Sequence, residues 1–222
     1  MPTRISPSFL VEKAHAAQLQ LSKRVVFEDM LPEPLRHVAG VDVAYAGGKS
    51  IGAVAVLDFD SLSLVESQVA RVETRFPYVP TLLSFREIPP ALSAIRKLQT
   101  QPDVFLADGQ GVAHPYRLGF ASHLGLVIDK PTIGVAKSLL CGQVKPFGEG
   151  EWAPLVDGEE IIGAAIVAHS KQKPIYVSVG HKVSLERAIH VVKCCVQGYR
   201  IPEPIRQAHT KANEEKRKGE VS

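Results

Sequence analysis

Two short apolar runs, Val104-Phe105-Leu106-Ala107 and Pro131-Thr132-Ile133-Gly134-Val135-Ala136, stand on either side of an apolar segment of helical length at residues 119–127. Runs this short and this apolar read as buried strands, and a strand, a helix and a strand at this spacing make a βαβ unit. Its two strands are then parallel and its crossover right-handed. That unit commits the chain to an α/β fold. It also sets Asp108 at the mouth of the first strand and Lys137 at the end of the second, on one edge of the sheet. Open α/β sheets keep their ligands at that edge. The loop after Asp108 carries Gly109 and Gly111, which let backbone approach a ligand closely, and His114. Taken alone, Lys137 is an ordinary solvated charge at a strand end.

Residues 38–45, 50–58 and 64–74 read as three strands. The short connections at Gly47-Gly48 and Asp60-Ser61 make them an antiparallel meander. In the first of them Asp42 shares a face with Gly40 and Ala44, so an acid has room beside it; a ligand site and a solvent face both remain open. Pro77-Tyr78-Val79-Pro80 is stiff and short of amide donors, which suits an exposed projection with an aromatic tip or a rigid linker into the next helix. Ser84 and Glu87 fit a capping box, but Pro89-Pro90 mark the first turn of a helix that begins later and covers Leu92, Ile95, Lys97 and Leu98.

At the start of the chain Ser6-Pro7 opens a packing helix whose face is Leu10, Ala14, Ala17 and Leu21, with little chemistry of its own. Residues 141–160, rich in Gly, Pro and charge, read as a surface excursion, and 161–168 with 175–179 as a closing hairpin. Ser184 caps a helix with Leu185, Ala188, Val191, Val192 and Cys195 on one face, stopped by Gly198. Pro202-Glu203-Pro204 restarts a polar helix, on which His209 reads as solvated and whose tail, about 210–222, is expected to fray.

With 222 residues and 45% hydrophobic content the chain suffices for one domain over residues 1–222. A net charge of +3 permits a nucleic-acid partner without demanding one. Its three cysteines lack metal-ligand spacing and read as free thiols of a reducing cytoplasm. No apolar stretch approaches the ~18 residues of a membrane span, so neither membrane insertion nor secretion is expected.

Three antiparallel strands, a helix, then alternating parallel strands and helices is the layout of a ribonuclease H-like fold: a central mixed sheet flanked by helices. In that layout the first and fourth strands are neighbours, which brings Asp42 beside Asp108 across more than sixty residues of sequence. Carboxylates so close repel unless a cation lies between them. Hard oxygen ligands without thiolates favour Mg²⁺, with Mn²⁺ as its substitute. Glu87 would complete a carboxylate cluster suited to activating water against a phosphodiester.

Several blocks then carry a specific resemblance. Gly40-Val41-Asp42-Val43-Ala44-Tyr45, Pro77-Tyr78-Val79-Pro80 through Leu83-Ser84-Phe85-Arg86-Glu87, Asp108-Gly109-Gln110-Gly111 with Ala113-His114-Pro115, Ala121-Ser122-His123-Leu124-Gly125 and Pro131 through Lys137 are similar, in order, to endonuclease V, the deoxyinosine-directed repair nucleases. Gly180-His181 and Gly198 through Pro204 extend the match. The resemblance implies Asp42, Glu87 and Asp108 as Mg²⁺ ligands, His209 as a further polar group at the metal, and Lys137 on the scissile phosphate. It implies Tyr78 as the wedge entering the duplex, and a pocket for the flipped base around Gly109 and Leu83 with Gly111 and His114 nearby. The implied partner is DNA containing deoxyinosine, cut by a monomer at the second phosphodiester on the 3′ side; inosine in RNA and non-catalytic nucleic-acid binding are the alternatives. Two positions depart from the family pattern: Thr81 stands where glycine is usual, and Tyr116, followed by Arg117, stands where arginine is common.

Overall fold

In the computed structural model, which describes residues 7–147, 152–167 and 173–220, the pair Gly47-Gly48 takes φ of +52° and +75°. These left-handed values are what a two-residue hairpin turn requires and what glycine supplies without strain. The turn joins β1 (His37–Ala46) to β2 (Lys49–Asp58) in antiparallel register, and β2 continues to β3 (Leu64–Glu73) through a turn where Asp58 accepts from the Ser61 hydroxyl at 2.7 Å. The expected meander is thus present.

β4 (Val104–Asp108) runs parallel beside β1, with Val38 opposite Val104 and Val41 opposite Ala107. One residue further along that register, Asp42 stands next to Asp108. The expected crossover follows: α3 (Phe120–Ile128) leads to β5 (Thr132–Ala136), parallel to β4. Beyond β5 the sheet is antiparallel throughout. Among the described residues the strand order is β3-β2-β1-β4-β5-β9-β8-β7-β6, with β6 (Gln143–Val144), β7 (Trp152–Asp157), β8 (Glu160–Ile166) and β9 (Ile175–His181). Parallel pairing is therefore confined to β1, β4 and β5.

The stretch 141–160 is not only an excursion, since β6 and β7 extend the sheet. Ala153 and Leu155 alternate with half-buried Trp152 and Pro154, and Leu155 packs with Ile162 and Ala113. That alternation is too short to stand out among the surrounding Gly, Pro and charge. The β8–β9 hairpin forms as expected; residues 148–151 of the excursion and residue 168 of the hairpin lie outside the described residues, as do Ser6 and the side chain of Leu10.

Helices cover both faces. α2 (Leu83–Ile95) and α3 bury Ile88, Ala91, Ala94, Phe120 and Leu124 against Val41, Val54 and Phe105. α4 (Leu185–Cys194) and α5 (Glu203–Glu220) bury Ala188, Val192, Ile205 and Ala208 against the opposite face, with Val38, Leu57 and Leu106. Ser184 caps α4 as expected, accepting from the Arg187 N–H at 3.2 Å. α2, however, begins at Leu83 and contains Pro89 and Pro90, where the sequence placed its start after them. Two prolines remove the N–H bonds to Phe85 and Arg86. The helix persists because Ile88, Ala91 and Ala94 are driven into the core, and because Gly52 lets the helix backbone rest on the sheet. A Cβ at Gly52 would lie 2.2 Å from the Pro90 carbonyl oxygen. Ser84 does not cap this helix; its hydroxyl is bonded to the His123 ring at 3.0 Å.

α1 (Pro7–Ser22) turns a different face inward from the one its apolar pattern suggests. Ala14 is buried, but Ala17 is exposed and Gln18 is wholly enclosed. α5 is helical through Glu220, past the point where fraying was expected, and it is polar on one side only, with Ile205, Ala208 and Ala212 buried at helical spacing. It lies directly on β1, where a Cβ at Gly40 would come within 1.9 Å of the Pro204 carbonyl oxygen. Among the described residues no helix is long and apolar enough to cross a membrane.

Candidate active site

Asp42 and Asp108 leave neighbouring strands toward the face covered by α5, and α5 delivers His209 to them. Its Nδ1 lies 2.7 Å from Asp42 Oδ2, so the histidine expected to be solvated is instead held in the centre. The Asn213 amide donates to Nε2 at 2.9 Å, which assigns the ring proton of the neutral histidine to Nδ1 and directs it at Asp42. The other Asp42 oxygen accepts from the Val43 N–H at 2.8 Å, and the residue is only 9% exposed. One ligand atom from each of Asp42, Asp108 and His209 lies within 4.8 Å of the others, the spacing of a metal site.

Glu87 stands beside that group rather than within it. It projects from the first turns of α2, in the layer on the other face of the sheet, and reaches the strand ends half-buried. Burial, then the charges of Asp42 and Asp108, push its carboxyl up to about 8, opposed by the Arg86 guanidinium. Asp108 is raised as well, by burial and by Asp42, and is held back by Lys137 and His209. Lys137 forms an ion pair with Asp108 Oδ2. Arg86 lies 4.2 Å above the Tyr45 ring, whose hydroxyl is raised chiefly by burial. Even with Lys137 in place the carboxylates are short of positive charge. Carboxylate oxygens with an imidazole bonded to one of them, and no thiolate among them, fit a hard divalent cation.

A cleft of about 410 Å³ opens beside this group. Gly109 and His114 form one wall, Thr81 and Leu83 the other, and Lys137 and Glu87 stand where the cleft meets the acids. Tyr78 is at its rim, 66% exposed, in accord with an aromatic projection. His114 is buried, and desolvation lowers it to about 4, so it is neutral near pH 7. Its Nδ1 accepts from the Tyr116 N–H at 3.1 Å, leaving the proton on Nε2 for a bond to the Thr81 backbone.

Gly111 is not part of the lining. It packs against β9, where an added Cβ would be 2.0 Å from the Val179 carbonyl oxygen, and its N–H donates to Ser178 Oγ at 2.9 Å. Arg117 turns away from the cleft to Asp157 and Glu160, at 2.9 and 2.8 Å. The sequence reading missed Leu118, Phe120, Leu139 and Leu140 in the lining, and, having placed α1 as a packing helix, missed its bonds to the cleft walls. The available signal was Gln18, an amide on the helix face that also carries Ala14 and Leu21.

The sequence model of the endonuclease V family matches residues 19–210. Endonuclease V of Thermofilum pendens is 47% identical over 207 residues, covering 93% of this chain and 89% of that protein. The crystal structure of endonuclease V from Streptomyces avermitilis superposes with a TM-score of 0.88 at 40% identity, covering 94% of this chain and 93% of the other. Ciona intestinalis endonuclease V, in complex with a 24mer DNA containing an inosine followed by a ribo-adenosine, gives a TM-score of 0.86 at 30% identity over 94% and 98% of the two chains.

Proposed function

The chain belongs to the endonuclease V family, and on that premise we propose that it nicks DNA at deoxyinosine with Mg²⁺ as its cofactor. Hydrolysis falls at the second phosphodiester on the 3′ side of the lesion and leaves a 3′-hydroxyl and a 5′-phosphate, a first step of repair that removes no base. The observation that carries this reading is the meeting of Asp42, Asp108 and His209 at the mouth of a cleft able to take one base.

Asp42 and Asp108, with Glu87 beside them, would hold the cation, which when bound supplies neutralisation of phosphodiester charge and acidification of the attacking water. His209 orients the Asp42 carboxylate through Nδ1. Lys137 offers a point charge to the scissile phosphate at the same strand edge. Tyr78 enters the duplex as a wedge and fills the gap left by the extruded base. That base enters between Leu83 on one side and Gly109 and His114 on the other. An added Cβ at Gly109 would be 3.3 Å from Phe120 Cβ, so the wall there is close-packed. Hypoxanthine lacks the exocyclic amine of guanine, and a tight wall of backbone can exclude the larger base by shape. Gly111 supports that wall from behind. All these groups come from a single chain, so a monomer suffices.

The test is a duplex with one deoxyinosine, incubated with Mg²⁺. One nick, a nucleotide beyond the lesion, is expected from the wild type. Asp108→Ala should abolish it while duplex binding persists. Random cleavage, or an Asp108→Ala protein that nicks as the wild type does, would overturn the reading, and duplex binding without nicking by either protein would leave a protein that only binds. A second reading, inosine in RNA, is favoured by the ribo-adenosine that follows inosine in the DNA bound to the Ciona intestinalis protein. Substrates with ribose or deoxyribose at that nucleotide separate the two.

A further inference from the structure

Thr81 has φ of +69°, a left-handed backbone that β-branched side chains rarely adopt. It follows Pro77-Tyr78-Val79-Pro80 directly and lines the cleft, so its conformation sets how the segment bearing Tyr78 meets α2. Such a conformation persists only where surrounding groups determine it. Here they are His15, Gln18 and, through the backbone bond described above, His114. The Thr81 hydroxyl lies 3.0 Å from His15 Nε2, and its carbonyl accepts from Gln18 Nε2 at 2.8 Å. The same Gln18 nitrogen donates to the Leu118 carbonyl, also at 2.8 Å. His15 in turn stacks on Tyr116, with ring centroids 4.4 Å apart and planes 13° from parallel.

The cleft has two walls from distant parts of the chain, one built on Thr81 and Leu83 and the other on the loop after Asp108. Among the described residues α1 supplies none to the lining, yet through His15 and Gln18 it is bonded or stacked to both walls. We propose that His15, acting with Tyr116, is a positioning residue that holds Thr81 in its left-handed conformation, and thereby fixes the width of the base cleft and the bearing of Tyr78. The proposal rests on the deoxyinosine reading above. Thr81 and Tyr116 are then one device, joined at their side chains through His15 and at their backbones through His114, not two independent features.

The effect belongs to binding and not to the chemical step, because Asp42, Asp108 and His209 are carried by β1, β4 and α5, while the bond and the ring stack of His15 go to Thr81 and Tyr116. A cleft already set to its bound width loses less freedom when a base enters. His15→Ala should therefore weaken binding of a deoxyinosine duplex about tenfold, the scale of one lost hydrogen bond together with one lost ring stack. Binding of an undamaged duplex, and kcat at saturating deoxyinosine duplex, should stay within about twofold of the wild type.

The decisive comparison is a double-mutant cycle with Thr81→Gly. Glycine accepts φ of +69° unaided and has no hydroxyl for His15, so His15→Ala should have little further effect in that background. Tyr116→Ala should weaken lesion binding in the same direction, and His15→Gln, which keeps a donor for Thr81, should recover part of the loss. Equal losses from His15→Ala with Thr81 and with Gly at that position would overturn the proposal, as would a loss confined to kcat. A wild type that discriminates deoxyinosine from undamaged duplex while all these variants do likewise overturns the positioning role alone. A wild type without discrimination overturns the deoxyinosine reading and this proposal with it.

Discussion

Glu87 allows the charge imbalance of the acidic centre to be measured without any substrate. Its carboxyl titrates at about 8 in the folded chain against an ordinary 4.5. Between those values the folded state keeps a proton that the unfolded chain has released. The sign follows: a raised folded value means that stability is greatest below 4.5 and is lost as pH rises through the window toward 8. At pH 7 about two and a half pH units of that window have been crossed, at about 1.4 kcal/mol each, so the metal-free protein is weakened by roughly 3 kcal/mol. Glu87→Gln keeps the shape and removes the charge. Because Glu87 borders an open cleft, water offsets part of the penalty, and the variant should gain about 1–3 kcal/mol in EDTA at pH 7. For a domain of this size that is a melting temperature higher by roughly 3–10 °C. The gain should vanish near pH 4. Asp108, raised in the same direction, is coupled to Glu87 by charge, so the difference between the two proteins includes any relief of Asp108. Saturating Mg²⁺ should then stabilise the wild type more than the variant, because Glu87 is proposed to help hold the cation. Thermal unfolding followed by circular dichroism from pH 4 to 8, with EDTA or Mg²⁺, reads all of this. A Glu87→Gln protein no more stable than the wild type in EDTA at pH 7 would refute the reasoning, as would a difference that does not change with pH.

Three further outcomes are expected. Gly40→Ala puts a methyl group against the Pro204 backbone, which cannot rotate away; it should lower stability by about 1–3 kcal/mol and cleavage far more, because α5 must lift and carry His209 from Asp42. Gly47→Ala, with nothing within 4 Å of the added carbon, is the control, and should cost about 1 kcal/mol and leave cleavage intact. Tyr78→Ala should leave the melting temperature unchanged, since the side chain is 66% exposed, while deoxyinosine binding in a gel-shift assay weakens by about 1–3 kcal/mol. His114 and His123, each lowered to about 4 by burial, stay neutral in the fold while the unfolded chain takes up protons below 6.5; stability should therefore fall as pH drops from 6.5 to 4, opposite in sense to Glu87, and His123→Gln should flatten that slope in a pH series of denaturant titrations.

The meander and the βαβ unit were legible because alternation, glycine turns and short apolar runs are local signals, and the adjacency of β1 and β4 in such a layout is enough to carry Asp42 to Asp108. The start of α2 was not legible. Pro89-Pro90 is a strong local veto, and it is overruled by burial against Gly52 on a strand whose approach no window of sequence can display. β7 was hidden because only Ala153 and Leu155 of its six residues are fully buried. His209 was ambiguous for a related reason. A polar helix looks the same whether its histidine faces solvent or an aspartate 167 residues away, and the choice is made by the contact of Gly40 with Pro204.

That contact has a consequence for the order in which the protein becomes active. A chain synthesised only as far as Gly198 would contain every strand and the three carboxylates, but β1 would present a bare trough where Ile205, Ala208 and Ala212 belong. Such an exposed apolar surface is a target for chaperones, and Asp42 beneath it has no imidazole to orient it. A long separation between contacting residues also makes the docking of α5 slow to occur. Competence to cut therefore arrives with one late event and does not build up strand by strand. A protein ending at Gly198 that still nicked deoxyinosine duplex would show that the centre assembles without α5.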